Sequence, residues 1–369
     1  MEKRSSFYGD RLRLARSIRC YTQKELAARV GASHSTISRL ELDRFEPTPG
    51  LLAALCEALD VTASFFARPV SDEFKPSECS FRHLQSTSRR LLDQALAKGT
   101  LFQEVIAEFA HLVEFPPPSV PDIPAKSDEE IDAAADETRR RWGLSLRAPI
   151  ANMIQAVEHA GIVVTRLKGT TEKVDAFSRF GNPPVIVLNS VRDSASRDRF
   201  NVAHELGHLV IHRGRPTGDA QSEREANRFA QAFLLPAEVF KDELRMAQRT
   251  DWPNLFELKR RWKLPGTEIL NRAEQLDAVG ATAARALYKQ HSYRRWHKGE
   301  PYEMAFEQPQ SLNLALLILD HEKVTIDQII ASLGWGRAIA EEVTGITFDQ
   351  DGVTNIESAN VTRLDDYRR

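Results

Sequence analysis

The sequence contains few cysteines and no long apolar run. Its three cysteines, Cys20, Cys56 and Cys79, are scattered and form no Cys-x-x-Cys pair, which argues against a disulfide framework and against a zinc site built from cysteine. No segment approaches the roughly 20 apolar residues that a membrane helix requires, and no apolar stretch follows the charged N-terminus, as a signal peptide would need. We therefore expect a cytoplasmic protein that makes no contact with a membrane.

The chain also carries almost no net charge, with a formal value of −2 at pH 7. That balance is not typical of a protein that binds nucleic acid along its whole length. The charge is unevenly distributed, however, because residues 1–50 contain ten Lys/Arg against six Asp/Glu. This modest local excess is compatible with contacts to phosphate in the N-terminal part of the chain.

The pattern of apolar residues divides the chain into four parts. Residues 1–70 resemble a compact run of short amphipathic helices, and residues 71–126 a helical connector that ends in a proline-rich linker with three consecutive prolines. Residues 127–250 mix helices with short apolar strands, and residues 251–369 are again mostly helical. We therefore expect a mainly α protein with a small β-sheet, of the α+β class.

Residues 22–40 carry the local signals of two short helices separated by a tight turn. Thr22 and Glu25 are spaced as a capping box, which starts a helix. Gly31 suits the left-handed residue that ends a helix, and Ser33 can cap the helix that follows. These signals predict a helix-turn-helix whose second helix can enter the major groove of DNA.

The outward positions of this motif are polar or small, and can approach base edges and phosphates. The candidate DNA-binding residues are Gln23, Ser33, His34, Ser35, Ser38 and Arg39. Over about the first 68 residues the chain resembles the phage-repressor-like (XRE) helix-turn-helix family. The resemblance rests on Thr22, Gln23, Glu25, Leu26, Ala27, Gly31, Ser33, Ile37, Ser38, Glu41 and Pro47. It implies a double-stranded DNA operator bound by a homodimer; the alternative is a helical module that binds protein.

A second motif, His204-Glu205-Leu206-Gly207-His208, lies in a predicted helix. Residues four apart share a helix face, so the imidazoles of His204 and His208 can bind one zinc ion. Zinc lowers the pKa of a bound water to roughly 7 and polarises a scissile carbonyl. Glu205 would then act as the general base that takes the proton of the water and passes it to the leaving amine.

A zinc site of this kind needs a third protein ligand. Glu223 and Asn227 lie four apart on the next predicted helix, so Glu223 could bind zinc while Asn227 bonds the free nitrogen of a ligand histidine. Glu225 is the alternative ligand. A three-histidine site that includes His212 is disfavoured, because His212 lies about 12 Å along a straight helix from His204; it is more simply a histidine at a helix end.

Residues 127–250 resemble the ImmA/IrrE family of gluzincin-like zinc metallopeptidases. The resemblance rests on Arg199-Phe200, His204-Glu205-Leu206-Gly207-His208, His212, Glu223-Arg224-Glu225-Ala226-Asn227, Phe229-Ala230 and Leu234-Leu235-Pro236, with the preceding strand pattern that includes Asp175-Ala176-Phe177-Ser178. It implies a fold in which an edge strand, here residues 174–180, pairs with an extended substrate chain. Family members cleave helix-turn-helix repressors and so switch genes on, for example in stress responses. Some longer members are encoded beside a nuclease toxin, which makes a cognate toxin a candidate partner.

Two function classes follow from these motifs. The first is a DNA-binding transcriptional regulator whose zinc-dependent endopeptidase domain cleaves a repressor-type protein, or itself, in response to a signal. The second is a non-proteolytic transcription factor or antitoxin-like regulator whose zinc domain binds a partner or ligand. A third, purely structural interaction protein would bind neither zinc nor DNA.

A basic segment with interleaved aromatics, residues 292–298, follows the zinc motif by about 85 positions. Such a segment can touch nucleic acid or an acidic partner. The simpler interpretation is a solvated and partly packed surface, because Trp and Tyr usually anchor helices.

Overall fold

A computed structural model of the protein describes residues 7–76, 88–168, 176–189, 194–247, 249–349 and 352–354. These residues form two compact units. The first is built from described residues within Met1–Asp72, Thr100–Glu114 and Ser311–Arg369, and the second from those within Glu73–Gly99 and Phe115–Gln310. The described residues are mainly helical with a small sheet, as predicted. None of their helices is long and apolar enough to cross a bilayer.

Helices make up most of the described chain, and the strands are few and short. The helices are α1 (Gly9–Ile18), α2 (Gln23–Arg29), α3 (His34–Glu41), α4 (Pro49–Leu59), α5 (Ala63–Phe66), α6 (Arg89–Ala110), α7 (Asp128–Arg141), α8 (Met153–His159), α9 (Ala195–Ile211), α10 (Ala220–Leu234), α11 (Ala237–Met246), α12 (Trp252–Trp262), α13 (Gly266–Gln275), α14 (Ala281–Tyr293), α15 (Ser311–His321), α16 (Ile326–Leu333) and α17 (Arg337–Thr344). The strands are β1 (Val163–Leu167), β2 (Ala176–Arg179), β3 (Val185–Asn189), β4 (Thr347–Asp349) and β5 (Gly352–Thr354).

The predicted helix-turn-helix is present in the first unit as α2 and α3. The capping box is confirmed, since the Glu25 amide donates to Thr22 Oγ1 at 3.1 Å and the Thr22 amide donates to the Glu25 carboxylate at 2.6 Å. Gly31 has the expected positive φ of 65°. Helix α1 packs tightly on α3 at Gly9, where a Cβ atom would lie 2.2 Å from a backbone oxygen of α3. Local signals therefore specify this motif, and close packing fixes it.

The C-terminal helices belong to the same unit as the helix-turn-helix. The Thr62 amide donates to the carbonyl of Gly334 at 2.9 Å, and the Gly336 amide donates to the carbonyl of Asp60 at 3.0 Å. Arg68 donates to the carbonyl of Leu333 at 2.9 Å. The four proposed domains, with boundaries at 70, 126 and 250, stay a prediction. The contacts described above show that the C-terminal helices pack beside the N-terminal helices within this unit.

Helix α6 covers Arg89–Ala110, within the segment 71–126 that the sequence predicts as a helical connector and linker. Residues 74–76 and 111–114 lie outside it, and residues 77–87 are not among the described residues.

The second unit surrounds a three-stranded sheet with the order β1-β3-β2. Strand β3 pairs in parallel with β1 and antiparallel with β2, and all five of its residues are buried. Its continuous apolar sequence suits a strand that is covered on both faces. Helices α9 and α10 pack together beside the sheet, and their apolar residues join one large core. This arrangement holds two helices rigidly against each other, and they carry the site described next.

Candidate metal centre and nucleic-acid interface

Helix α9 places His204 and His208 one turn apart on the same face. From Val202 to Ile211 its residues are apolar or glycine apart from those of the motif, and all are buried. The Nε2 atoms of the two imidazoles lie 3.1 Å apart. Two ring nitrogens thus converge on one point inside a largely apolar core.

Helix α10 brings Glu223 to this point. Asp219 caps the N-terminus of this helix, and its carboxylate accepts the amides of Gln221 and Ser222, each at 2.8 Å. It approaches α9 closely at Gly207, where a Cβ atom would lie 3.1 Å from the Phe229 ring. The glycine of the motif therefore permits the helix contact that positions the carboxylate.

The three side chains form one cluster. Glu223 Oε2 lies 3.3 Å from His204 Nε2, and Glu223 Oε1 lies 3.4 Å from His208 Nε2. Ligand atoms of all three residues fall within 4.8 Å of one another. Both carboxylate oxygens of Glu223 are buried and accept no well-formed hydrogen bond. A buried carboxylate without a hydrogen bond is costly, so a cation between these groups would satisfy it.

The protonation state of His208 also suits a metal. Burial lowers the pKa of His208 to about 3, so the ring is neutral at pH 7. Neutral imidazoles and an ionised carboxylate are the forms that bind zinc.

Partners behind the ligands fix the tautomers of both rings. His204 Nδ1 lies 3.0 Å from the side-chain oxygen of Asn227, which can only accept, so a neutral His204 keeps its lone pair on Nε2. Its Nε2 therefore faces the cluster as an acceptor. The carboxamide of Asn227 thus fixes the tautomer and the orientation of the His204 ring, as the hydrogen-bond partner of a metal-binding histidine usually does.

A longer chain of partners acts on the second ring. His212 Nε2 lies 2.7 Å from the Glu225 carboxylate, and His212 Nδ1 lies 2.9 Å from His208 Nδ1. Burial lowers the pKa of His212, which favours a neutral ring. A neutral His212 that donates from Nε2 accepts at Nδ1, so His208 must donate from Nδ1. The lone pair of His208 is thereby directed from Nε2 into the cluster.

The donor set of two imidazoles and one carboxylate fits zinc, with a fourth position left for water. The sequence left Glu225 as an alternative ligand, but its carboxylate contacts His212, Gln221 and Arg215 instead. His212 likewise contacts Glu225 and His208 rather than joining the three converging ligand atoms. Its interpretation as an ordinary helix-end histidine missed this contact, although its spacing of four from His208 was visible in the sequence.

Glu205, the candidate general base, is buried next to the cluster on α9. The hydroxyl of Ser178 donates to Glu205 Oε2 at 2.7 Å, and Ser178 Oγ also lies 3.3 Å from the Glu205 carbonyl oxygen. Ser178 is itself 3 % exposed and lies on β2. The sequence assigned this serine no role of its own, since nothing in its local pattern connects it with a glutamate on another element.

Strand β2 lies at one side of the sheet. It pairs with β3 through four residues, and no other strand among the described residues pairs with its second edge. The sequence predicted an edge strand over 174–180; the observed strand is Ala176–Arg179, and residues 174 and 175 lie outside the described residues. The strand that holds Ser178 therefore also lies at the edge of the described sheet, with three of its four residues buried.

The candidate DNA-binding residues lie on or beside α2 and α3. The exposed ones are Ser33, His34, Ser35 and Arg39, while Gln23 and Ser38 are half-buried. Ser33 caps α3 by accepting the Thr36 amide at 3.0 Å. The side-chain nitrogen of Gln23 donates to Glu41 at 2.7 Å, which ties α2 to α3. Two of the six candidates therefore also stabilise the motif itself.

These features combine a helix-turn-helix with a helix-borne site of the kind found in metallopeptidases. Residues 16–66 match the family model described as helix-turn-helix. Residues 157–274 match the model described as an IrrE N-terminal-like domain, of peptidase family M78. The chain thus joins a helix-turn-helix domain of the XRE type to an IrrE/ImmA-like domain. That family typically contains metallopeptidases, which suggests a metal. A comparison with curated proteins finds no match.

Proposed function

We propose that the protein is a DNA-binding transcriptional regulator whose zinc-dependent endopeptidase domain cleaves a repressor-type protein, or itself, in response to a signal. The observation that carries the proposal is the convergence of His204, His208 and Glu223, with both Glu223 oxygens buried and without hydrogen bonds. In this proposal these three residues hold the zinc ion, and Asn227 orients His204.

Glu205 is the proposed general base. When bound, zinc would lower the pKa of a water to roughly 7 and polarise the scissile carbonyl. The carboxylate of Glu205 would accept the proton of the attacking water and deliver it to the leaving amine. The hydrogen bond from Ser178 to Oε2 orients this carboxylate for the proposed proton transfer. Burial of the site keeps competing solvent away.

The substrate is proposed to bind as an extended chain along β2. Main-chain hydrogen bonds to a sheet edge provide affinity without requiring a particular sequence. Because Ser178 of this strand contacts Glu205, a peptide on the same edge would run close to the general base. A helix-turn-helix repressor is the proposed substrate, on the resemblance to the ImmA/IrrE family.

The helix-turn-helix is proposed to bind a double-stranded operator as a homodimer, with His34, Ser35, Ser38 and Arg39 nearest the bases and phosphates. A role in a stress response, with a cognate toxin as a further partner, completes the proposal. These assignments rest on family resemblance and on the exposed polar face of α3.

One incubation tests the peptidase assignment. Wild-type protein, Glu205→Gln and the control Glu257→Gln are each mixed with the proteins encoded beside this gene, with zinc or with a chelator, and products are identified by mass spectrometry. Glu257 is an exposed residue of the same unit. We expect cleavage by wild type and control only, and only with zinc. Cleavage by all variants or by none would contradict the assignment, and the non-proteolytic regulator would replace it.

A further inference from the structure

Residues 281–299 carry five Lys/Arg and no Asp/Glu, in a chain whose charges are otherwise balanced. They include α14, a turn, and a 3-10 helix at Trp296–Lys298. The five cations are Arg285, Lys289, Arg294, Arg295 and Lys298, and all five are exposed. We call them the α14 surface.

Helix α14 has two distinct faces. Ala284, Leu287 and His291 are buried, at the spacing of one helix stripe. Arg285, Lys289 and the exposed Tyr293 follow each other at intervals of four on the opposite side, over about 12 Å of the helix axis. Basic and aromatic groups therefore form a row that points to solvent.

The turn after α14 extends this row. Arg295 has a positive φ of 56°, which reverses the chain into the 3-10 helix. Trp296 then packs on the rings of Trp252 and Phe256, with centroids 5.1 and 4.8 Å away. The aromatic anchor fixes the turn to the core, and the neighbouring cations stay in solvent.

Helix stability accounts for only part of this charge, because Arg294 at the C-cap of α14 suits the helix dipole whereas Arg285 does not. Cations favour the C-terminal end of a helix and acids the N-terminal end, yet α14 has no acid in its first turn and already carries Arg285 in its second. Some other exposed arginines of the same unit lie beside a carboxylate, such as Arg140 near Glu137 and Arg245 near Asp242. The cations of the α14 surface make no ion pair with another described residue.

We propose that the α14 surface binds the sugar–phosphate backbone of duplex DNA. A row of unpaired cations attracts phosphates without reading sequence, and a tyrosine hydroxyl such as that of Tyr293 can donate to phosphate oxygens. Duplex DNA is the polyanion that the helix-turn-helix of the same chain would recruit, so this inference rests on the proposed DNA binding.

Salt dependence of DNA binding tests the proposal. The full-length triple variant Arg294→Ala/Arg295→Ala/Lys298→Ala is compared with the control Arg140→Ala/Arg245→Ala/Arg260→Ala, which loses the same charge from exposed, paired arginines. Binding to a random-sequence duplex of 30 base pairs is measured by fluorescence anisotropy across a potassium chloride series. We expect the negative slope of log K against log[salt] to become shallower by about 2–3 in the α14 variant. Its binding at low salt should be about tenfold weaker. Equal slopes for the α14 variant and the control would overturn the proposal.

A recognition-helix variant, His34→Ala/Arg39→Ala, separates the two DNA assignments. If duplex binding survives in it and is lost when the α14 substitutions are added, the α14 surface binds DNA whether or not α3 does. If the recognition-helix variant loses all binding and the α14 substitutions change nothing, the proposal fails while the helix-turn-helix assignment stands. An α14 variant that loses binding to an acidic protein but binds DNA as well as wild type would also overturn the proposal.

Discussion

Ser178 donates a hydrogen bond to Glu205, with 2.7 Å between Ser178 Oγ and Glu205 Oε2. The two residues are 27 positions apart and lie on different elements, β2 and α9. Both are buried, so the hydroxyl and the carboxylate hold each other in one geometry. This contact links the strand proposed to bind substrate with the proposed general base.

Ser178→Ala is expected to lower kcat by about tenfold, the value of one hydrogen bond to a charged group. KM should change little, because the strand edge is left intact. The measurement is the cleavage rate on the substrate that mass spectrometry identifies, together with zinc content. Ser178→Thr should restore most of the rate. Wild-type kcat in the alanine variant would show that Ser178 does not position Glu205.

His212→Ala is expected to weaken zinc binding by about tenfold to a hundredfold, the usual effect of removing an outer partner of a ligand. His208 would lose the acceptor that directs its lone pair into the cluster. Zinc affinity is measured by competition with a chromogenic chelator. His159→Ala, at an exposed position of the same unit, is the control. Equal affinities for the two variants would exclude this role.

Gly334→Ala is expected to destabilise the unit that contains the helix-turn-helix by about 1–3 kcal/mol. Gly334 has a φ of 74°, and a Cβ atom there would lie 2.6 Å from the backbone nitrogen of Phe65. Gly50→Ala is the control, since its helical position has open space and alanine favours a helix. Urea unfolding measures both. An unchanged midpoint for Gly334→Ala would mean that α16 and α5 are not packed as described.

Glu303→Gln is expected to reduce the loss of folding stability that occurs when the pH is lowered. The Glu303 carboxylate lies 2.9 Å from Lys259 Nζ and accepts the Ser196 amide at 2.6 Å. Burial raises its pKa, but these partners outweigh burial and lower the pKa below 4.5. The ionised group therefore stabilises the fold above about pH 4.5, and this is lost as the pH falls through the folded-state pKa.

The measurement for Glu303 is the urea midpoint at pH 7 and at pH 4. The variant should be less stable at pH 7, by under about 1 kcal/mol because the carboxylate is partly exposed. Its midpoint should also fall less than that of wild type between the two pH values. A variant that loses as much stability on acidification as wild type would contradict this linkage.

Local signals predicted much of the molecule. The capping box that begins at Thr22 starts α2 as its spacing indicates. The spacing of His204 and His208 predicted a shared helix face, and both rings lie there. Such features depend on residues three or four positions apart, so the local sequence is enough to specify them.

Contacts between distant segments could not be predicted in the same way. Asp60 meets Gly336, and Ser178 meets Glu205, only because packing brings separate elements together. Sequence spacing left Glu223 and Glu225 as alternatives, since both lie on the same helix. The direction of each side chain then depends on how α10 packs against α9 at Gly207.

Zinc content tests the central claim most directly. Wild type, Glu223→Gln and Glu225→Gln are purified in parallel, and metal is quantified by inductively coupled plasma mass spectrometry. We expect about one zinc ion per chain in wild type, a strong loss in Glu223→Gln, and a smaller loss in Glu225→Gln, because Glu225 acts on His208 only through His212. A wild-type chain without zinc, or a Glu223→Gln chain that retains it fully, would contradict the proposed metal centre.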